Sequence, residues 1–132
     1  MEKIIMNISA SKDTFGAFSE NCEGIYAAGD TIEDTKADTY EAIRLIKENL
    51  PEDRWPEQIK GEFEIIWKFD VPSFLEHYSE YLSLAGMEKM TGINQKQLSN
   101  YLNRRSVPRA KQADRIISGL HKFARELLSI TL

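Results

Sequence analysis

The spacing of apolar residues changes along this chain, and the change falls at a proline. Phe63, Ile65, Trp67 and Phe69 alternate with Glu62, Glu64, Ile66 and Lys68, the period-two pattern of a strand with one apolar face. From Ser73 onward apolar side chains recur every third or fourth residue, the pattern of amphipathic helices. Pro72 stands between the two patterns. A sheet-bearing unit over residues 1–72 followed by an all-helical unit over 73–132 is therefore expected, an α+β chain.

Within the first unit, Lys3 to Ser9 carries Ile4, Ile5, Met6 and Ile8, a short strand signal. Phe15-Gly16-Ala17-Phe18 and Gly24-Ile25-Tyr26-Ala27-Ala28 follow, separated by polar turns at Ser11-Lys12-Asp13 and Glu20-Asn21-Cys22-Glu23-Gly24. These predict a three-stranded antiparallel meander. The period then becomes helical: Thr31 and Asp34 approximate a capping box, and Glu33 and Asp34 suit the positive end of a helix. Thr39, Ile43, Ile46 and Leu50 place one stripe on the strands, and Pro51 ends the run. Residues 51–61, with Pro51, Pro56 and Gly61, read as a connecting loop before the fourth strand. The order is β-β-β-α-β.

In the second unit, Phe74, Leu75, Tyr78, Tyr81, Leu82 and Leu84 form one stripe behind a Ser73 cap. Ala113, Ile116, Ile117, Leu120, Phe123, Ala124, Leu127 and Leu128 form another, which predicts a core-facing helix over 109–128. Its Gly119 costs about 1 kcal/mol of helix propensity, a cost that a close helix crossing would justify. Four or five helices are expected.

Between those stripes lies the segment with the most specific chemistry. A short helix through Met87 and Met90 should stop at Gly92, which accepts the left-handed conformation. Ile93 would plug the turn, and Asn94 is a good N-cap for the next helix. This is the spacing of a helix-turn-helix. Leu98, Tyr101 and Leu102 then face inward, which leaves Gln95, Lys96, Gln97, Ser99 and Asn100 outward, near the N-terminal half of a recognition helix. Gln and Asn pair bidentately with adenine, and Lys with guanine. Arg104, Arg105, Arg109 and Lys111 follow at once and can clamp phosphates. The DNA-binding residues expected are thus Asn94, Gln95, Lys96, Gln97, Ser99, Asn100, Arg104, Arg105 and Arg109.

Charge divides in the same way. Residues 1–72 hold 8 Lys+Arg and 16 Asp+Glu, a balance of −8, whereas residues 73–132 hold 9 and 5, a balance of +4. From Gly86 onward 9 basic residues face 3 acidic ones, the electrostatic footprint of nucleic-acid binding. Because operators read by such motifs are two-fold, a homodimer or higher homo-oligomer is expected.

Other chemistry finds little support. His77, His121 and the single Cys22 are far apart in sequence, so no metal site, disulfide or cofactor is expected. No G-x-S-x-G, Walker A or H-E-x-x-H pattern occurs. Ile4-Ile5-Met6-Asn7-Ile8 carries no carboxylate for a nuclease centre, so an enzyme is not expected. No apolar run reaches the roughly 18 residues of a membrane span. Met1-Glu2-Lys3-Ile4-Ile5 lacks the marks of a signal peptide, so a cytoplasmic protein is expected.

With these residues in view, the chain resembles the HicB-like antitoxins along nearly its whole length. The resemblance runs through Gly24-Ile25-Tyr26-Ala27-Ala28-Gly29-Asp30-Thr31, the helix through Tyr40-Glu41-Ala42-Ile43, and Thr91 to Tyr101. More typical members have a Pro-Gly-Cys-type turn where this chain has Asn21-Cys22-Glu23-Gly24. The resemblance implies a partial ribonuclease-H-like N-terminal domain that holds a small basic mRNA-interferase toxin. It also implies a C-terminal domain that represses the chain's own operon by binding double-stranded operator DNA. Two other readings stay open: a plain helix-turn-helix repressor whose N-terminal domain senses a ligand or oligomerises, and a hydrolase that retains nuclease activity.

Overall fold

The computed structural model describes every residue except Ser11 and Lys12, so that part of the turn expected at Ser11-Lys12-Asp13 lies outside the described residues. The chain divides into two compact units, Met1–Asp70 and Val71–Leu132.

Unit 1 is a mixed four-stranded sheet with a helix on one face. Its elements are β1 (Glu2–Ala10), β2 (Phe15–Ser19), β3 (Tyr26–Gly29), α1 (Ile32–Asn49) and β4 (Phe63–Phe69). The sheet order is β3-β2-β1-β4. The first three strands form an antiparallel meander, with Asn7 opposite Phe18 and Phe18 opposite Tyr26. β4 runs parallel to β1, with Ile4 opposite Ile65 and Ile8 opposite Phe69. A parallel neighbour needs a long crossover, which α1 and the segment after it supply.

Helix α1 begins where its caps dictate. The Thr31 hydroxyl accepts from the Asp34 N–H at 3.0 Å, and Leu50 turns to extended geometry ahead of Pro51. Ile4, Met6, Ile8, Phe15 and Ala17 on the strands and Ile43 on α1 form the core. Thr35 and Thr39 lie fully buried in α1 and donate their hydroxyls to the carbonyls of Thr31 and Thr35.

Two details of unit 1 are non-local. Residues 51–61 are more than a loop: two short 3-10 turns, Glu52–Arg54 and Glu57–Ile59, carry Ile59 into the core, where it is completely buried. The looser turn at Asn21 also has a structural role. Its side chain accepts from the Ile5 N–H at 2.9 Å and donates to the Lys3 carbonyl at 2.7 Å. An amide side chain thus stands in for a strand where β2 has ended, and Cys22 beside it is buried.

Unit 2 contains α2 (Val71–Tyr78), α3 (Leu84–Thr91), α4 (Gln95–Leu102) and α5 (Ala110–Leu128). Leu75, Met87, Ile93, Leu98, Tyr101 and Ile116 form its core. Three expectations are corrected here. Ser73 is not a cap: α2 starts at Val71, Pro72 occupies the first turn, where no N–H is required, and Ser73 is buried. The stripe from Phe74 to Leu84 is not one helix, because α2 stops at Tyr78, and Tyr81 is exposed. The new start at α3 is capped by Ser83, whose hydroxyl accepts from the Gly86 N–H at 2.9 Å. Nor is α5 core-facing throughout: Ile116 is its one buried residue among those described, whereas Leu127 and Leu128 are exposed.

Candidate nucleic-acid interface

The site is built from the turn outward. α3 ends at Gly92, whose backbone lies in the left-handed region at φ 74° and whose N–H donates to the Glu88 carbonyl at 2.8 Å. The Thr91 hydroxyl donates to the Met87 carbonyl and accepts from the Ile93 N–H, which pins the chain on both sides of the glycine. Ile93 is buried beneath the turn. Asn94 starts α4 by accepting from the Lys96 N–H at 2.7 Å. The Glu88 carboxylate reaches across the turn to accept from the Gln95 N–H, also at 2.7 Å. Two of the free N–H groups at the start of α4 are thereby satisfied, and the Glu88 bond ties α3 to α4 across the turn.

Helix α5 clamps that piece from behind. A β-carbon on Gly119 would lie 2.3 Å from the Met90 carbonyl oxygen, so only glycine permits this crossing. The Arg115 guanidinium donates to the Gly92 carbonyl at 3.0 Å and to Gln112 at 3.2 Å. The crossing at Gly119 is the packing reason for a glycine inside a helix.

On α4, Leu98 and Tyr101 turn inward and are buried, which fixes what the other faces present. Asn94, Gln95 and Lys96 are exposed, while Ser99 and Asn100 are half-exposed. Gln97 is half-buried and turned aside: its amide donates to the Ser106 hydroxyl at 3.4 Å, and it lines an open groove with Tyr101, Arg109, Lys111 and Arg115. Asn100 is oriented from behind, its Oδ1 accepting from the Arg105 guanidinium at 3.4 Å. Exposed Asn103 also belongs to this end, bonded to the Ser99 carbonyl at 2.9 Å.

The cations sit at the end of α4 and the start of α5. Arg104 adopts φ 60°, the single non-glycine left-handed residue among those described. The N–H groups of Arg104 and Arg105 donate to the carbonyls of Tyr101 and Asn100 at 3.1 and 2.8 Å, a Schellman closure of α4 with arginine where glycine is usual. The Arg104 guanidinium lies 3.9 Å from Glu76, an exposed pair worth little. Arg105 and Arg109 are exposed.

The structure thus draws Gln97, Arg109 and Lys111 around one groove, and sets Asn94, Gln95, Lys96, Ser99 and Asn100 along the accessible side of α4. Arg115 and Asn103 join them without having been singled out in the sequence. A basic residue inside an apolar helical stripe is the only signal Arg115 gives. Among the described residues no cluster of His, Cys, Asp or Glu can hold a metal ion, and no helix is long and apolar enough to cross a membrane. In comparisons with known proteins the chain matches no family model, no curated protein and no solved structure.

Proposed function

We propose that this chain is an antitoxin-type repressor. In this reading α3, the Gly92 turn and α4 form a helix-turn-helix whose α4 enters the major groove of operator DNA. Lys96 and Asn100 read base edges, Asn94, Gln95 and Ser99 contact the adjoining backbone or bases, and Gln97 reaches in from the groove side. Arg104, Arg105, Arg109, Lys111 and Arg115 hold phosphates. One observation carries this half of the reading: a short polar helix is held rigidly on a capped left-handed turn and bordered by five basic residues. The two-fold symmetry of such operators makes a homodimer the expected state.

The other half assigns a small basic mRNA-interferase toxin to unit 1. Its support is the balance of −8 on residues 1–72 and the resemblance to HicB-like antitoxins, with the partial ribonuclease-H-like fold that the resemblance implies. A cytoplasmic location and the absence of catalysis belong to the same proposal. The test is co-expression with any adjacent reading frame that encodes a small basic protein. Capture of that protein by residues 1–72, with promoter binding retained by the full chain, supports the antitoxin. Promoter binding with no captured partner leaves the plain repressor instead.

A further inference from the structure

We propose that the open face of the unit 1 sheet binds a purine nucleoside, with the base against the Phe18 ring and its edge read by Asn7. The proposal does not depend on what unit 2 binds.

Strand register assembles the site. Helix α1 covers one face of the sheet, so alternate residues of each strand stand on the other. Pairing aligns four of these in one row: Tyr26 on β3, Phe18 on β2, Asn7 on β1 and Lys68 on β4. The next row is made of small residues, Ala28, Gly16 and Ser9. A β-carbon on Gly16 would meet nothing within 4 Å, so the step between the two rows is open. Beside it lies a recess of about 380 Å³ bordered by Phe18, Asn7, Ser9, Lys68 and Asp70. That volume is within the range of small-ligand pockets.

The chemistry of the row selects the ligand. Phe18 is 49% exposed and Tyr26 72%, and they are direct cross-strand neighbours. Aromatic side chains set side by side on a sheet surface form a stacking platform for bases. Asn is disfavoured within strands, yet Asn7 stands on an interior strand of this sheet. Its amide is half-buried and has no hydrogen-bond partner among the described residues. A carboxamide offers a donor and an acceptor side by side, the complement of the amino group and ring nitrogen of adenine. Asn7 is thus placed to read a purine edge while Phe18 beside it takes the ring.

Charge excludes a phosphate chain. Lys68 lies 3.6 Å from Glu20 and Lys3 lies 3.9 Å from Glu64 on the same face, and Asp70 adds a further carboxylate at the recess. A nucleic-acid strand needs cations that are not already matched. The occupant is therefore a base on an uncharged sugar rather than a nucleotide or a strand of RNA.

The test is a calorimetric titration of the full chain. Adenosine should bind with a dissociation constant on the order of 100 µM. Uridine, which lacks the purine edge, should bind about tenfold more weakly, and AMP or a short oligoadenylate no more tightly than adenosine. Asn7→Ala should abolish the preference for adenosine over uridine. Phe18→Ala should weaken both nucleosides by roughly tenfold. Circular dichroism and tryptophan fluorescence should be kept in both variants, because neither side chain belongs to the core. Absence of binding at millimolar adenosine overturns the site. Equal binding of the two nucleosides by wild type, or a preference that survives Asn7→Ala, overturns the reading by Asn7. Oligoadenylate that binds more tightly than adenosine, with affinity falling as salt rises, overturns the nucleoside as the occupant.

Discussion

The two units solve the same packing problem in different ways. Unit 1 closes its core with elements from far along the chain: β4 beside β1, Ile59 beneath the sheet, and the Asn21 side chain standing in for a missing strand. Unit 2 relies more on short-range devices, with a Ser cap, a left-handed turn and an Asn cap within a dozen residues, and adds one longer-range contact, α5 laid across α3. The first pattern yields a larger core that depends on long-range register. The second yields a small rigid presentation of one helix and leaves part of α5 uncovered. A unit that must present a surface can accept less burial than one that must hold a sheet together.

Both tryptophans, Trp55 and Trp67, lie in unit 1, so fluorescence reports that unit, while circular dichroism at the helix band weights unit 2. The largest effect should come from Gly119→Ala. A methyl group 2.3 Å from a backbone carbonyl forces the α3–α5 crossing open. Unit 2 should lose about 3 kcal/mol despite the gain of about 1 kcal/mol in helix propensity. Denaturant unfolding should show the circular dichroism transition moving to lower concentration while the tryptophan transition stays in place.

Asn21→Ala should do the reverse, and less strongly. It leaves the Ile5 N–H and the Lys3 carbonyl without their partner, at a cost of about 1–2 kcal/mol at this solvent-accessible edge. The tryptophan transition should shift and promoter binding should stay unchanged. A concerted shift of both signals would break the comparison between the units.

These contrasts also explain what was legible in the sequence. The alternation of 63–69, the stop at Gly92 and the caps at Thr31 and Asn94 act over a few residues, so composition and spacing reveal them. The parallel placement of β4, the burial of Ile59 and the cap that Arg115 places on Gly92 are decided by residues about 20 to 60 positions away in the chain, with no local signature. Ser73 misled because a small hydroxyl before an apolar run is also what a buried helix position tolerates. Along α4 the inward residues were readable from spacing, but the turn of Gln97 toward Ser106 was not.

A smaller effect should appear at Arg104. Its left-handed backbone costs an L-residue about 1 kcal/mol that glycine avoids. Arg104→Gly should therefore stabilise unit 2 by about that amount while weakening DNA binding, a stability gain set against function. Equal stability with unchanged binding would remove Arg104 from the interface. The least perturbing probe is Cys22, whose thiol burial pushes above its ordinary pKa, so less of it is the reactive thiolate near neutral pH. Alkylation should be slow in the native chain, accelerated by Asn21→Ala and indifferent to Gly119→Ala.

The most direct test of the account is a salt titration of full-chain binding to its own promoter and to a scrambled duplex. Wild type should prefer the promoter, with affinity falling steeply as salt rises. Gln97→Ala and Asn100→Ala should each lose discrimination by roughly 1–3 kcal/mol. Arg105→Ala should weaken both duplexes and lower the salt slope by about one, with only a smaller loss of discrimination from freeing the Asn100 side chain. Equal affinity of the wild-type chain for the two duplexes, or an Arg105→Ala variant that keeps the salt slope and loses only specificity, would contradict the assignment of α4 to bases and its basic border to phosphates.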